Sequence, residues 1–201
     1  MITLKEIFNC FIKTIDGIVT PIILLTTKIV FVDSPSDVIF SRIRGLLLAP
    51  FIKYTSIPYI GKDVYFLELL TRKYIFGKNV RTLNFCKFHG PVEIGDNVFF
   101  NYNVEVRSHT VIGNNVSIGP NTLIISDTHE LGNGKRRAGK VTFKKIIIED
   151  GCWIGANVTI LGGVTVGAGS VIAAGSVVTK DVRSNTLITG VRAKEIRELG
   201  E

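Results

Sequence analysis

Three histidines, three cysteines and one dense basic run are the side chains of this protein best suited to chemistry. His89, His109 and His129 stand twenty residues apart, and imidazole is a common zinc ligand, so a metal site is the first reading to test. Cys10, Cys86 and Cys152 share no paired spacing, and their odd number argues against a disulfide framework and for a reducing compartment. From Glu130 to Ile147, Lys135, Arg136, Arg137, Lys140, Lys144 and Lys145 face a single acid, so this stretch carries +5 of a formal net charge of +7. Charge gathered in one loop suits a phosphate or another anion. A nucleic-acid surface would spread Lys and Arg along a face with interleaved aromatics. The competing reading is a solvated loop kept extended by like charges. His129 stands directly before the basic run. An imidazole with an ordinary pKa of about 6.5 can take a proton from an attacking hydroxyl at neutral pH. By position alone, His129 reads equally well as a surface or corner residue.

The elements that position these groups follow from a six-residue period beginning at Phe76. Of fifteen positions taken at that spacing (76 to 124, then 148 to 178), fourteen are large and apolar and only Thr82 departs. Four residues after each stands a small or β-branched residue, and three residues after each stands Asn, Asp or Gly in twelve of the fifteen. Those are the types that enter a left-handed backbone at low cost, so they mark corners. The period fits neither a helix nor a simple hairpin sheet. It fits a parallel β-helix whose triangular coils each use eighteen residues, with like positions stacked about 4.8 Å apart.

The eighteen-residue coil argues against metal binding, because histidines twenty residues apart drift by two residues per coil, roughly 6 to 7 Å along a strand. No metal is therefore expected within one chain. Cys86 and Cys152 fall at the small inward position of the repeat, where a thiol fills space. His109, at a corner with no loop beside it, is expected to tolerate alanine silently.

The segments IGDNVF, IGNNVS, IGPNTL, IGANVT, VGAGSV and IAAGSV resemble the hexapeptide repeat of left-handed β-helix acyltransferases. His129 before the excursion, CWIGANVTI after it and NYN at Asn101 to Asn103 are similar to the galactoside, maltose and surface-polysaccharide O-acetyltransferases. The left hand of the helix comes from this resemblance alone. The resemblance implies His129 as general base in direct transfer from acetyl-CoA to a sugar hydroxyl, with Asn101 and Trp153 on the substrate side, and the charge of the basic loop adds Arg136 and Arg137 there. The resemblance places Ala156, Ala174, Thr179, Lys180, Lys194 and Arg197 along the coenzyme groove, and it implies a homotrimer. Asp127 either orients His129 or simply turns a corner. Two departures from the family are Glu130, where a proline is usual after the base, and the closing turn Gly190 to Lys194.

The remainder of the sequence sets the context. With 201 residues, 46% hydrophobic and 20% charged, the chain is a folded protein of one main domain. A mean hydropathy of +0.33 implies apolar surface hidden in an oligomer or against a membrane. Residues 1–58 read as an apolar helical extension with a break at Pro21 and a second amphipathic helix over Ser36 to Ala49. Residues 59–190 read as the β-helix with its excursion at 130–147, and 191–201 as a short helix. Ile18 to Val32 is too short for a confident span and contains Lys28, so it is expected at a membrane surface or packed within the oligomer. No cleavable signal is expected, which places the protein in the cytoplasm or peripherally at the inner face of the membrane. The acceptor is expected to be a sugar, a nucleotide-sugar or a lipid-linked saccharide in capsule, O-antigen or exopolysaccharide assembly, with no nucleic-acid partner. The alternatives are N-acetylation of an amino-sugar nucleotide, acetylation of serine or an antibiotic, and a non-catalytic β-helix scaffold.

Overall fold

A computed structural model of the chain describes residues 37–67, 69 and 73–198. The expectations for residues 1–32 and for Cys10 lie outside the described residues. From Lys53 onward the backbone winds as a parallel β-helix of three faces, made of sheets of six, eight and six strands. The first face includes Tyr74–Phe76, Val92–Ile94, Thr110–Ile112 and Ile146–Ile148, the second includes Phe99–Phe100, Ser117–Ile118 and Trp153–Ile154, and the third includes Lys87–His89, Glu105–Val106 and Leu123–Ile125. Thr110 pairs with Val92 and Ile112 with Ile148, the second pairing spanning the interruption without loss of register. The first coil is offset, because Tyr59 pairs with Arg81 and Tyr65 with Lys87, twenty-two residues on, and it begins at Lys53–Tyr54, ahead of the boundary read at residue 59.

Each face turns one large and one small residue inward. Phe66 stacks on Phe88 in the third face, with ring centroids 5.2 Å apart, and Phe100 of the second face meets Phe88 edge-on across the interior at 5.1 Å. Val80, Val98, Val116, Cys152 and Ser170 form one of the narrow columns, all buried. Thr82, the one polar residue at a large position, is buried and its hydroxyl accepts from the Gly61 amide at 3.2 Å. The corners are left-handed at Asn79, Asn97 and Asn115, and their side chains form a ladder in which each Nδ2 donates to the next Oδ1 at 3.0 Å. The glycine of the repeat answers the close stacking of the coils: a Cβ on Gly155 would lie 2.6 Å from the Ala174 nitrogen.

The C-terminal helix expected over 191–201 is not formed over the described residues 191–198. Lys194–Glu198 is a strand, antiparallel to Thr186–Thr189 on the outer edge of the second face. An uncovered sheet edge offers unpaired amides and carbonyls that outweigh the helix preference of so short a segment. Arg183 holds the returning strand by donating to both carboxylate oxygens of Glu195.

Candidate active site

The excursion is a two-stranded antiparallel hairpin, Asp127–Leu131 with Ala138–Phe143, rising from the corner between the third and first faces. It leaves the coil three residues earlier than the basic run suggested. The coil resumes at Ile146. His129 is exposed on the first strand of the hairpin, opposite Val141, and its Nδ1 lies 2.9 Å from the carbonyl oxygen of Gly139. A carbonyl can only accept, so Nδ1 carries the proton and Nε2 is left with a free lone pair. That tautomer is the one a general base needs. Arg136 and Arg137 lie at the exposed tip, where Asn133 Oδ1 accepts from the amides of Lys135 and Arg136 at 3.0 and 3.2 Å.

A polar cluster that sequence reasoning missed holds the foot of the hairpin. Arg107 Nε lies 2.8 Å from Glu105 Oε1 and 3.9 Å from Asp127 Oδ1, and His89 Nε2 lies 3.2 Å from Glu105 Oε1. These are ion-pair distances without the alignment of hydrogen bonds for His89 Nε2 and Arg107 Nε. Burial, and then the positive charge of Arg107, hold the His89 pKa below its ordinary value, against a smaller opposing pull from Glu105. Asp127 thus faces Arg107 and opens the hairpin strand opposite Phe143; it is not one of the left-handed corners, and the His129 ring is held by the Gly139 carbonyl instead. Beside it, the His109 ring lies 5.1 Å from that of Phe143, which ends the second hairpin strand. His109 also has φ of 58°. It is therefore part of the hairpin's footing, and the premise that no loop stands beside it is corrected: alanine there would remove the ring contact and is disfavoured at that backbone angle. Between these groups is a cleft of about 210 Å³ lined by His89, Arg107, Ser108, Asp127 and Phe143. The available signal was the spacing: His89 and Arg107 are eighteen residues apart and so occupy the same place in successive coils.

The other expected site residues divide between corners. Thr179 and Lys180 follow Val177–Val178 and lie at the hairpin's corner, higher up the prism. Asn101, Ala156 and Ala174 lie at the corner between the second and third faces, and Trp153, 60% exposed, lies on the second face between Ser117 and Val171. Lys194 and Arg197 lie on the C-terminal strand, opposite Thr189 and Leu187. The third face separates the two corners by roughly five strand residues, on the order of 15 Å. One chain therefore does not bring His129 and Asn101 together. Burial pushes the thiols of Cys86 and Cys152 up to about 11, so neither is poised as a nucleophile. Among the described residues no cluster of three or more His, Cys, Asp or Glu is placed to hold a metal.

Residues 145–180 match the Bacterial transferase hexapeptide (six repeats) family. The chain is 34% identical to the galactoside O-acetyltransferase of Lactococcus lactis over 141 residues, 67% of this chain and 68% of that one. The chain belongs to the hexapeptide-repeat acetyltransferases. It is also 40% identical to the galactoside O-acetyltransferase of Escherichia coli over 119 residues, 58% of this chain and 59% of the other. The solved hexapeptide-repeat acetyltransferase of Vibrio cholerae, complexed with acetyl coenzyme A, is similar across 99% of this chain and 91% of its own, with a TM-score of 0.64 and 26% identity. The chain spans about half to two thirds of the length of the curated relatives it matches. The fold of this hexapeptide-repeat acetyltransferase is accordingly the left-handed β-helix of its family.

Proposed function

We propose that this protein transfers an acetyl group from acetyl-CoA to a sugar hydroxyl, with His129 as general base and the active site built between neighbouring subunits of a homotrimer. The observation that carries this reading is the exposed His129 ring held through Nδ1 on the Gly139 carbonyl, which leaves Nε2 as the nitrogen with a free lone pair. The acceptor oxygen attacks the thioester carbonyl while Nε2 takes its proton. The tetrahedral intermediate then collapses, the carbon–sulfur bond breaks, and the imidazolium returns the proton to the leaving thiolate, so no acyl-enzyme forms. The division of the expected site between two corners supports a shared site. A neighbour's second-to-third corner, with Asn101 and the backbone at Ala156 and Ala174, would complete the hairpin corner with His129, Thr179 and Lys180. Lys180, Lys194 and Arg197 would meet the coenzyme's phosphates. The Vibrio cholerae relative, complexed with acetyl coenzyme A, supports that choice of donor.

The basic tip with Arg136 and Arg137 supports an acceptor carrying phosphate, such as a nucleotide-linked or lipid-linked sugar in surface-polysaccharide assembly. The apolar N-terminal region supports a place at the inner face of a membrane. Among the described residues no helix is long and apolar enough to cross one. The deciding experiment is acceptor-dependent release of the coenzyme thiol from acetyl-CoA across a panel of sugars and phosphate-linked sugars. Release that rises with a sugar hydroxyl is expected, and an absence of release with every acceptor would leave a binding scaffold.

A further inference from the structure

The helix Asp37–Leu47 is amphipathic in the inverted sense: its polar side faces the protein and its apolar side faces out. Ser41 and Arg44 are buried, and Arg44 Nε donates to the Ile60 carbonyl at 2.7 Å. Arg42 donates to the Ile57 carbonyl at 3.2 Å and to the Tyr59 hydroxyl at 3.0 Å, with its guanidinium 4.0 Å from the Tyr59 ring centre. The inversion has a physical cause at the base of the prism. The first coil has no coil beneath it, so its outward carbonyls need donors, and the helix supplies arginines. The opposite side has no such cause. Ile39, Leu46 and Leu47 are 63%, 53% and 43% exposed, and with half-buried Ile43 they recur at i, i+4, i+7 and i+8, a single stripe of an α-helix.

The charge around this stripe selects its partner. Residues 37–90 hold nine Lys or Arg against three Asp or Glu, whereas residues 1–36 balance three against three. Arg42 and Arg44 face inward, but Lys53, Lys73, Lys78, Arg81 and Lys87 are exposed on the first two coils. No ion pair engages Lys53, Lys73 or Lys78 among the described residues. A second copy brought to the same end would set one basic surface against another, and residues 1–36 offer no excess negative charge. We propose that this end of the prism docks on an anionic lipid bilayer, with the Ile39, Ile43, Leu46 and Leu47 stripe entering the headgroup boundary and the lysines meeting the lipid phosphates. The inference rests on the membrane-side placement proposed above, and not on the acetyl-transfer chemistry.

The test is co-sedimentation of the full chain with vesicles of phosphatidylcholine, with and without phosphatidylglycerol. Binding is expected to the anionic vesicles and to weaken in high salt. Replacing Lys53, Lys73 and Lys78 by Gln should weaken it about fivefold for each lysine. L46Q with L47Q should cost about tenfold or more, since both apolar groups leave the boundary. Parent-like binding by the leucine variant would overturn the inference while leaving the membrane-side placement intact, with residues 1–36 as the contact. A parent chain that binds neither vesicle would overturn both. Dissociation of the oligomer by the leucine substitutions, read by light scattering, would make the stripe a subunit contact and also overturn the inference.

Discussion

His129 is the residue on which the proposed chemistry turns, and two substitutions separate its chemical role from its structural one. His129→Ala removes both ring nitrogens. His129→Asn keeps a side-chain N–H close to the Nδ1 position, so it can still donate to the Gly139 carbonyl now 2.9 Å away, but has no base. If Nε2 takes the acceptor proton, both variants should lose about 10²- to 10⁴-fold in kcat, equivalent to about 3 to 5 kcal/mol of transition-state stabilisation. The structural cost is much smaller. His129 is exposed, and among the described residues its side chain makes that one hydrogen bond, worth about 0.5 to 1.5 kcal/mol. At about 2 to 4 °C per kcal/mol for a chain of this size, alanine should lower Tm by a few degrees and asparagine by less. The KM for acetyl-CoA should hold, because the proposed coenzyme contacts lie on other elements. The assay is thiol release with the acceptor that the parent turns over fastest, alongside thermal melts of all three proteins. An asparagine variant within a few-fold of the parent in kcat would refute the base and show that the ring only braces the hairpin.

The remaining expectations test the prism and the hairpin's foot. Phe88→Ala, fully buried against Phe66 and Phe100, should lose about 3 to 5 kcal/mol in denaturant unfolding, and a loss below about 1 kcal/mol would contradict a packed aromatic cluster in the interior. With Cys10 replaced by serine, Cys86 and Cys152 should resist alkylation in the native protein and react on unfolding, since both thiols are buried and their pKa values are raised to about 11. His89 titrates below its unfolded value, so the unfolded chain binds the proton first. Its contribution should be fully present above about pH 6.5 and be lost as pH falls toward the lower folded value, a slope that His89→Gln should flatten in melts across that range. Arg107→Gln should raise the His89 pKa seen by NMR, because it removes the positive charge that opposes protonation. An unchanged titration would dissociate the two residues.

The repeat made the prism legible because its cause is local. A coil built on eighteen residues must place one large and one small residue inward on each side and turn at a left-handed corner, so Phe88, Val98 and Asn97 each read their place from the period alone. The hairpin was visible as an interruption for the same reason, although its first strand begins at Asp127 because cross-strand pairing with Phe143 extends below the basic run. The C-terminal strand was not legible, since Lys194–Glu198 pairs with an edge that exists only once the coils are stacked. Of the cluster of His89, Glu105, Arg107 and Asp127, only the eighteen-residue spacing of His89 and Arg107 stood in the sequence; its members are ordinary surface types until winding brings successive coils together at one corner. The same holds for the inverted helix, in which Arg42 and Arg44 face inward because the first coil leaves carbonyls unpaired. By itself the sequence determined the coil, its corners and the presence of an excursion at His129, all set by spacing along the chain. Only the tertiary structure decided which nitrogen of His129 is free, what holds its hairpin and which face of the helix meets solvent, because those depend on partners that folding brings from distant coils.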